Sequence, residues 1–173
     1  MINRLKDLIK LDLELGPYIT GSWLTHTLES KYRTPIWKPN DIDLVCRSEC
    51  QLQSVDKVFK SIDSNVRIEH TKLTTYYYWN IDGVCIQGIL HDISCKDRLN
   101  FADYTITAIT TDGIDIISHP TAEYDIVNRQ LVRTNYKTFG DRDYHLNRYQ
   151  KYIKRGYLDI DNKILDEINK WYH

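Results

Sequence analysis

The stretch "YITGSWLTHTLESKYRTPIWKPNDIDLVC", residues 18–46, decides the fold. One short apolar run ends in Gly21 and Ser22, and a second begins with Asp41 and Asp43 on either side of an isoleucine. Alternate residues of a strand face the same side, with Cα atoms about 6.6 to 7 Å apart. The two carboxylates therefore project side by side at the start of a strand whose other face is apolar.

Two parallel carboxylates repel each other unless a cation lies between them, and Mg²⁺ suits this role because it takes oxygen ligands and keeps positions for water and phosphates. The alternative is structural, with one aspartate capping a loop and the other in a surface ion pair. The upstream pair favours the functional interpretation. Gly21 allows close backbone approach, and the following helix presents free N–H groups to an anion beside the Ser22 hydroxyl. The pattern predicts a phosphoryl-transfer site.

Bulk properties limit the other possibilities. A chain of 173 residues fits one domain. It contains no apolar run of the ~20 residues that span a bilayer, and its start lacks a secretory leader, so we expect a cytoplasmic protein without membrane contact. The four cysteines form no Cys-x-x-Cys pair and the histidines no ligand cluster. A net charge of −1 leaves room only for a local basic patch.

Periodicity and turn signals predict the elements of the first part of the chain. We expect a helix over residues 2–14, a strand over 18–20, a helix capped by Ser22, a loop over 31–40 and a strand over 41–46. Apolar positions 55, 58, 59 and 62 then predict a helix with Ser54 as its cap.

The second part reads as two hairpins followed by helices. The hairpins turn at Asp82-Gly83 and Asp112-Gly113, with strands over residues 71–80, 84–92, 104–111 and 114–117. Helices follow over about 141–155, closed by Gly156, and over about 162–172. The sequence predicts an α+β domain with a mixed sheet flanked by helices, residues 1–135 forming the core and 136–173 a C-terminal helical extension of the same domain.

The Gly-Ser pair, the spacer and "PNDIDLV" resemble the signature of the polymerase-β-type nucleotidyltransferase superfamily. The spacer is longer here than in minimal members. The segment "ADYTITAITTDGIDII" is similar to the Arg-Arg-Asp-Phe-Thr-Ile-Asn-Ala segment in the head domain of tRNA nucleotidyltransferases and of related poly(A)-polymerase-like, phage and viral proteins. The resemblance assigns Asp103 to a ribose contact. Phe101 and Ala102 stand where the family has paired arginines, and Thr107 replaces its asparagine.

The segment "DRDYHLNRYQKYIKRGYLDID" resembles the family's later helix, which helps to read the base. Its helical wheel groups basic and tyrosine side chains on one face and apolar ones on the other. A face of this kind suits phosphates and stacked bases, although a solvated helix face is the plainer interpretation. The grouped residues are Tyr144, Arg148, Lys151, Tyr152 and Arg155, against Leu146, Tyr149 and Ile153.

Active members often use a third carboxylate on a strand after the Asp-x-Asp helix. Cys85 and Gln87 occupy the expected positions here and neither is acidic; Glu69 or Asp92 serves only if the register differs. The missing acid suggests impaired catalysis.

The resemblance implies an enzyme that transfers a nucleoside monophosphate from an NTP to an acceptor hydroxyl and releases pyrophosphate. Asp41 and Asp43 would hold Mg²⁺, or Mn²⁺ in its place, while Gly21, Ser22, Asp103, Arg148 and Lys151 would bind the nucleotide. The acceptor is an RNA or tRNA 3′ end, a metabolite or a protein. The alternatives are a catalytically weak domain that binds nucleotide or RNA, and an antitoxin-like protein that acts on a protein partner.

Overall fold

A computed structural model describes residues 1–71, 74–134 and 141–171 of the chain. In these parts seven strands form one mixed sheet in the order β3-β4-β5-β2-β1-β6-β7. The strands are β1 (Tyr18–Thr20), β2 (Asp41–Cys46), β3 (Arg67–His70), β4 (Thr75–Ile81), β5 (Val84–Leu90), β6 (Ile109–Thr111) and β7 (Ile116–Ser118).

Seven helices flank the sheet within the same described ranges. They are α1 (Ile2–Leu8), α2 (Ser22–Glu29), α3 (Glu49–Lys60), α4 (Cys95–Asn100), α5 (Ala122–Val127), α6 (Arg142–Lys154) and α7 (Lys163–Trp171). None of the helices described is long and apolar enough to cross a membrane. The predicted α+β class, with a mixed sheet, flanking helices and a C-terminal helical part, is confirmed.

Strand β2 lies at the centre of the sheet and fixes the position of the acidic pair. It pairs antiparallel with β1 and parallel with β5. The register sets Asp41 opposite Cys85 and Asp43 opposite Gln87. Because directly opposed residues project to the same face, these four side chains share one side of the sheet.

The other side of the sheet is closed by α3. The Trp79 indole packs edge-on against Phe59 at 5.1 Å between ring centroids and donates a hydrogen bond to Asp56 at 2.9 Å. Gly88 leaves room for this indole, since a Cβ there would lie 2.4 Å from the ring. With helix and indole on one face, the acidic pair is left on the opposite, open face.

The C-terminal helices join the core through α6. Arg148 donates a hydrogen bond to Asp103 at 2.8 Å, and the Tyr104 and Tyr152 rings meet edge-on at 5.3 Å between centroids. The predicted division between residues 135 and 136 falls in 135–140, outside the described residues, and stays a prediction.

Three predicted helix starts or ends are wrong. Helix α1 ends at Leu8 instead of residue 14, because the Asp12 carboxylate accepts hydrogen bonds from the N–H groups of residues 14 and 15 and so forms a turn. Gly21, not Ser22, is the N-cap residue of α2. Helix α3 is capped by Ser48 instead of Ser54, whose hydroxyl lies inside the helix and donates to the carbonyl of residue 50.

The segment predicted as a strand over residues 104–111 is also wrong in its first half. Residues Thr105–Thr107 form a 3₁₀ turn, in which the Thr107 hydroxyl donates to the Tyr104 carbonyl at 2.9 Å, and only β6 is extended. Strand β3 and helix α4 were not predicted. Strand β3 is exposed along its whole length, so it lacks the apolar alternation that marks a strand.

Candidate active site

Gly21 brings the β1–α2 turn into contact with Asp43. The residue has φ +86°, in the region that favours glycine, and is the N-cap of α2. A Cβ at this position would lie 2.0 Å from Oδ2 of Asp43. The absent side chain therefore lets the start of an eight-residue helix, with its free N–H groups and the buried Ser22, adjoin the carboxylate.

The two aspartates of β2 form an electrostatically unfavourable pair. Desolvation raises the pKa of Asp43 to about 6, and repulsion from Asp41 adds to the shift. The cations of Arg98, Arg148 and Lys151 act in the opposite direction. Since the pKa stays raised, burial and the neighbouring carboxylate disfavour the ionised form of Asp43 more than these cations favour it.

All seven residues predicted for the site line one cleft of about 270 Å³. The turn after β1 contributes Gly21 and Ser22, β2 contributes the two aspartates, and Asp103, Arg148 and Lys151 come from the second half of the chain. Additional lining residues are Tyr76, Gln87, Ile89, Arg98, Phe101, Ala102, Thr107, Tyr144 and Tyr152. Parts of the chain more than 100 residues apart thus meet around the acidic pair.

Asp103 is held by an ion pair. Its carboxylate is 6% exposed and accepts a hydrogen bond from Nε of Arg148 at 2.8 Å. The pair fixes α6 against the cleft and sets a carboxylate and a guanidinium side by side. The carboxylate can accept a hydrogen bond from a ligand hydroxyl, and the guanidinium can donate hydrogen bonds to a ligand oxygen.

The basic face predicted for α6 borders the cleft with four of its five residues, Tyr144, Arg148, Lys151 and Tyr152. Tyr152 is fully buried, so this is not a solvated surface face. Desolvation, followed by repulsion from Arg148 and Arg155, lowers the pKa of Lys151. Arg155 itself lies over the Trp37 ring at 3.8 Å and is outside the lining.

Arg98 is a cleft cation that sequence reasoning missed. It lies on α4, one turn before Phe101 and Ala102, where the resemblance expects arginines. Within the described residues the Arg98 side chain has neither an ion pair nor a hydrogen bond. The only sequence signal for this residue was its spacing. It precedes the two residues of the apolar pair by three and four positions, which brings side chains to one face once the segment is helical.

No third carboxylate lies opposite the acidic pair on β5, and Asp103 of the same cleft is paired with Arg148. Gln87 occupies the position opposite Asp43 and donates a hydrogen bond to Tyr78 at 3.0 Å, while Cys85 lies opposite Asp41. Asp92 forms an ion pair with an arginine at 3.0 Å, and Glu69 accepts a hydrogen bond from the Tyr78 hydroxyl at 3.3 Å. Neither carboxylate lines the cleft. The register therefore places the Gln87 amide at the position where the resemblance expects a third acid.

The donor set fits a magnesium ion that is shared with a ligand. Across the described chain, no group of three or more His, Cys, Asp or Glu side chains could hold a metal. Two adjacent carboxylates suit Mg²⁺, which is commonly held by one or two carboxylates together with water and substrate phosphates. The residues present fit such a site and leave its remaining positions to water and phosphate.

Comparison with solved structures identifies the fold. The similar structures include the Thermotoga maritima CCA-adding enzyme complexed with tRNA (TM-score 0.59, 17% identity, 78% of this chain), the Bacillus stearothermophilus CCA-adding enzyme in complex with CTP (0.50, 16%, 79%) and a tRNA nucleotidyltransferase complexed with a primer tRNA and an ATP analogue (0.54, 14%, 78%), each at probability 1.00. The chain has the nucleotidyltransferase fold.

The nucleotidyltransferase fold found here spans 32% of the length of each of the two CCA-adding enzymes and 39% of the tRNA nucleotidyltransferase. No family model and no curated protein matches the sequence. The fold expected from the sequence resemblance is therefore confirmed by structural likeness alone, at identities too low to transfer an activity.

Proposed function

We propose that this protein is a magnesium-dependent nucleotidyltransferase that transfers a nucleoside monophosphate from an NTP to an acceptor hydroxyl. One observation carries the proposal: the backbone at Gly21 lies so close to Asp43 that no side chain fits between them, so an anion-binding helix start adjoins the carboxylate pair. The ligands named for the similar structures, tRNA, CTP and an ATP analogue, agree with this class of reaction.

The charged side chains of the cleft and the start of α2 would bind and orient the nucleotide. The N–H groups at the start of α2 and the Ser22 hydroxyl would hold the β- and γ-phosphates. Arg98 and Lys151, which form no ion pair within the described residues, would neutralise phosphate charge. Asp103 and Arg148 would contact the ribose and the base or phosphate edge.

Asp41 and Asp43 would hold the magnesium ion. When bound, it supplies charge neutralisation on the triphosphate and lowers the pKa of the attacking hydroxyl. The acceptor oxygen forms a bond to the α-phosphorus while the bond from this phosphorus to the bridging oxygen breaks. Pyrophosphate leaves with that electron pair, and the hydroxyl proton passes to solvent. Catalysis by this chain then consists of positioning and of the fixed positive groups around the phosphates.

A second candidate function is nucleotide or RNA binding with little turnover. It is favoured by Gln87 at the position opposite Asp43 and by the apolar pair Phe101 and Ala102. A third, antitoxin-like action on a protein partner, requires neither nucleotide binding nor turnover.

Pyrophosphate release tests the proposal. The pure protein is incubated with each labelled NTP and Mg²⁺, with and without total RNA, beside the variant Asp41→Ala/Asp43→Ala. We expect release by the wild type that the double variant and EDTA abolish. Release that persists in the double variant would contradict the metal assignment. NTP binding without release supports the second candidate, and absence of both supports the third.

A further inference from the structure

A second cavity, of about 670 Å³, lies beside the acidic pair. The register puts Tyr78, Asn80 and Cys85 of its lining on the same face of the sheet as that pair, while Trp79 of its lining belongs to the opposite face. The polar walls of the cavity are made by Arg67, Tyr78 and three asparagines, Asn40, Asn65 and Asn80, with Cys85 on β5 between them. Asn40 directly precedes Asp41, and Cys85 lies opposite that aspartate in the register. The cavity therefore begins where the nucleotide cleft ends.

The sheet register places the two cavities on opposite sides of the acidic pair. Along β5, Cys85 borders the second cavity, whereas Gln87 and Ile89 border the cleft. Along β2, Asn40 belongs to the second cavity and the aspartates to the cleft. In phosphoryl transfer the attacking and leaving oxygens lie roughly in line across the phosphorus. A nucleotide in the cleft leaves the attacking group to approach from the second cavity.

The chemistry of the second cavity is that of a nucleic-acid site. The Arg67 guanidinium lies 4.0 Å from the centre of the Tyr78 ring, and that ring is inclined by 29° to the ring of Tyr76, a residue of the cleft, with 6.4 Å between centroids. Arg67 is exposed and forms no ion pair in the described residues. A guanidinium held flat on an aromatic ring can stack under a base and bind phosphate at its edge. Asparagine amides supply both donors and acceptors for base edges.

The distribution of charge restricts a nucleic-acid strand to one part of this surface. Glu69 pairs with Tyr76 in the register and accepts from the Tyr78 hydroxyl, on the side away from Asn80. Its negative charge disfavours a phosphate there, whereas the side with Arg67 and the asparagines has no carboxylate in its lining. Gln87 joins the two sites through its hydrogen bond to Tyr78 at 3.0 Å.

We propose that the second cavity binds the acceptor as a single-stranded RNA, holding the nucleotides that precede the reacting 3′ hydroxyl. Arg67 binds a backbone phosphate and stacks on a base, and the asparagines contact base edges. Arg67 lies three strands from Asp43, about 14 Å at the usual strand spacing, so it serves a chain that extends beyond the reaction centre. The inference rests on the proposed function and names its acceptor.

Fluorescence anisotropy with a 5′-fluorescein single-stranded RNA oligonucleotide of mixed sequence tests the site. We expect Arg67→Glu to weaken RNA binding about tenfold or more and to reduce the slope of log Kd against log salt by about 0.7 for each phosphate that the variant no longer binds. Asn80→Asp should also weaken binding. Lys57→Glu, with the same charge change on the exposed side of α3 behind the sheet, should remain within about twofold of wild type.

Several outcomes would overturn the inference. These are absence of RNA binding by the wild type, equal affinity in Arg67→Glu, equal loss in Lys57→Glu, and displacement of the RNA by poly-glutamate as readily as by unlabelled RNA. Binding of a fluorescent ATP analogue with Mg²⁺ is measured on the same proteins and should not change in Arg67→Glu. If RNA binding persists in Asp41→Asn/Asp43→Asn while neither the wild type nor any variant binds the nucleotide, the proposed function alone is contradicted.

Discussion

Gly21 and Asp43 are the residue pair on which the site depends. We expect Gly21→Ala to destabilise the fold and to displace the Asp43 carboxylate, because the new Cβ would lie 2.0 Å from Oδ2 at a positive φ. Gly83→Ala is the matched control, with φ +79° and open space around its Cβ. It should cost only the left-handed strain of about 1 to 2 kcal/mol. Thermal unfolding measures both, and equal losses in the two variants would contradict the contact.

Asp43→Asn should stabilise the metal-free protein although it removes a proposed metal ligand. Desolvation and repulsion by Asp41 raise the pKa of Asp43 to about 6 from a usual value near 4, so at neutral pH its ionised form destabilises the fold. Since two units correspond to about 3 kcal/mol, we expect the neutral amide to stabilise the metal-free protein by about 1 to 3 kcal/mol. Denaturant unfolding in EDTA measures the gain. A variant less stable than wild type would show that the carboxylate is compensated within the protein.

Local pattern predicted Gly21, Ser22 and the two aspartates as candidates, the family resemblance added the residues from the second half of the chain, and the cleft contains all seven. Gly21 and the aspartates could be recognised because the spacing of a strand and the start of a helix follow from neighbouring residues. Arg98 could not, because its approach to Asp43 depends on how α4 packs against the sheet. Ser54 was predicted as the cap because it directly precedes the apolar positions at helical spacing, whereas the helix begins after Ser48.

At the scale of elements, α4 supplies a charge to the cleft. We expect Arg98→Ala to raise KM for the NTP about tenfold or more, because a charged hydrogen bond to phosphate is removed, with unfolding little changed. Lys96→Ala, on the exposed face of the same helix, is the control and should leave KM within about twofold. Steady-state kinetics measures both, and an unchanged KM in Arg98→Ala would remove this residue from the phosphate site.

A buried carboxylate ties α2 to the elements after it. Glu29 is 0% exposed and accepts hydrogen bonds from Trp37 at 3.0 Å and Tyr157 at 3.2 Å. Its other oxygen lies 3.5 Å from Arg33 and 3.6 Å from Arg129. The helix that starts after Gly21 is thus anchored at its far end to the loop before β2 and to the segments that follow α5 and α6.

Glu29→Gln should therefore cost about 1 to 3 kcal/mol of unfolding free energy, because two partly buried arginines lose the charge of their partner. Asp82→Asn provides the comparison, since its ion pair with Arg4 is about half exposed and worth about 0 to 1 kcal/mol. Denaturant unfolding of both variants tests the difference. A Glu29→Gln loss below about 1 kcal/mol would show that the cluster is held by hydrogen bonds alone.

At the scale of the whole molecule, the fold brings three distant parts of the chain to one acidic pair. The turn after β1, the central strand and α6 meet at the cleft, while the outer strands β3 and β4 carry the second cavity. Sequence reasoning reached the fold class because hairpin turns and helix periods are local signals. It missed β3, and with it the proposed acceptor surface, because this exposed strand contains a single apolar residue, Ile68.

Metal binding tests the central claim most directly, because it requires no knowledge of the acceptor. Mn²⁺ is titrated in the presence of a non-hydrolysable NTP analogue and the free ion is followed by electron paramagnetic resonance. We predict that wild type binds Mn²⁺ tightly only with the analogue, and that Asp41→Asn/Asp43→Asn loses this binding while remaining folded. Analogue-dependent Mn²⁺ binding of equal strength in the double variant would contradict the assignment of the two aspartates.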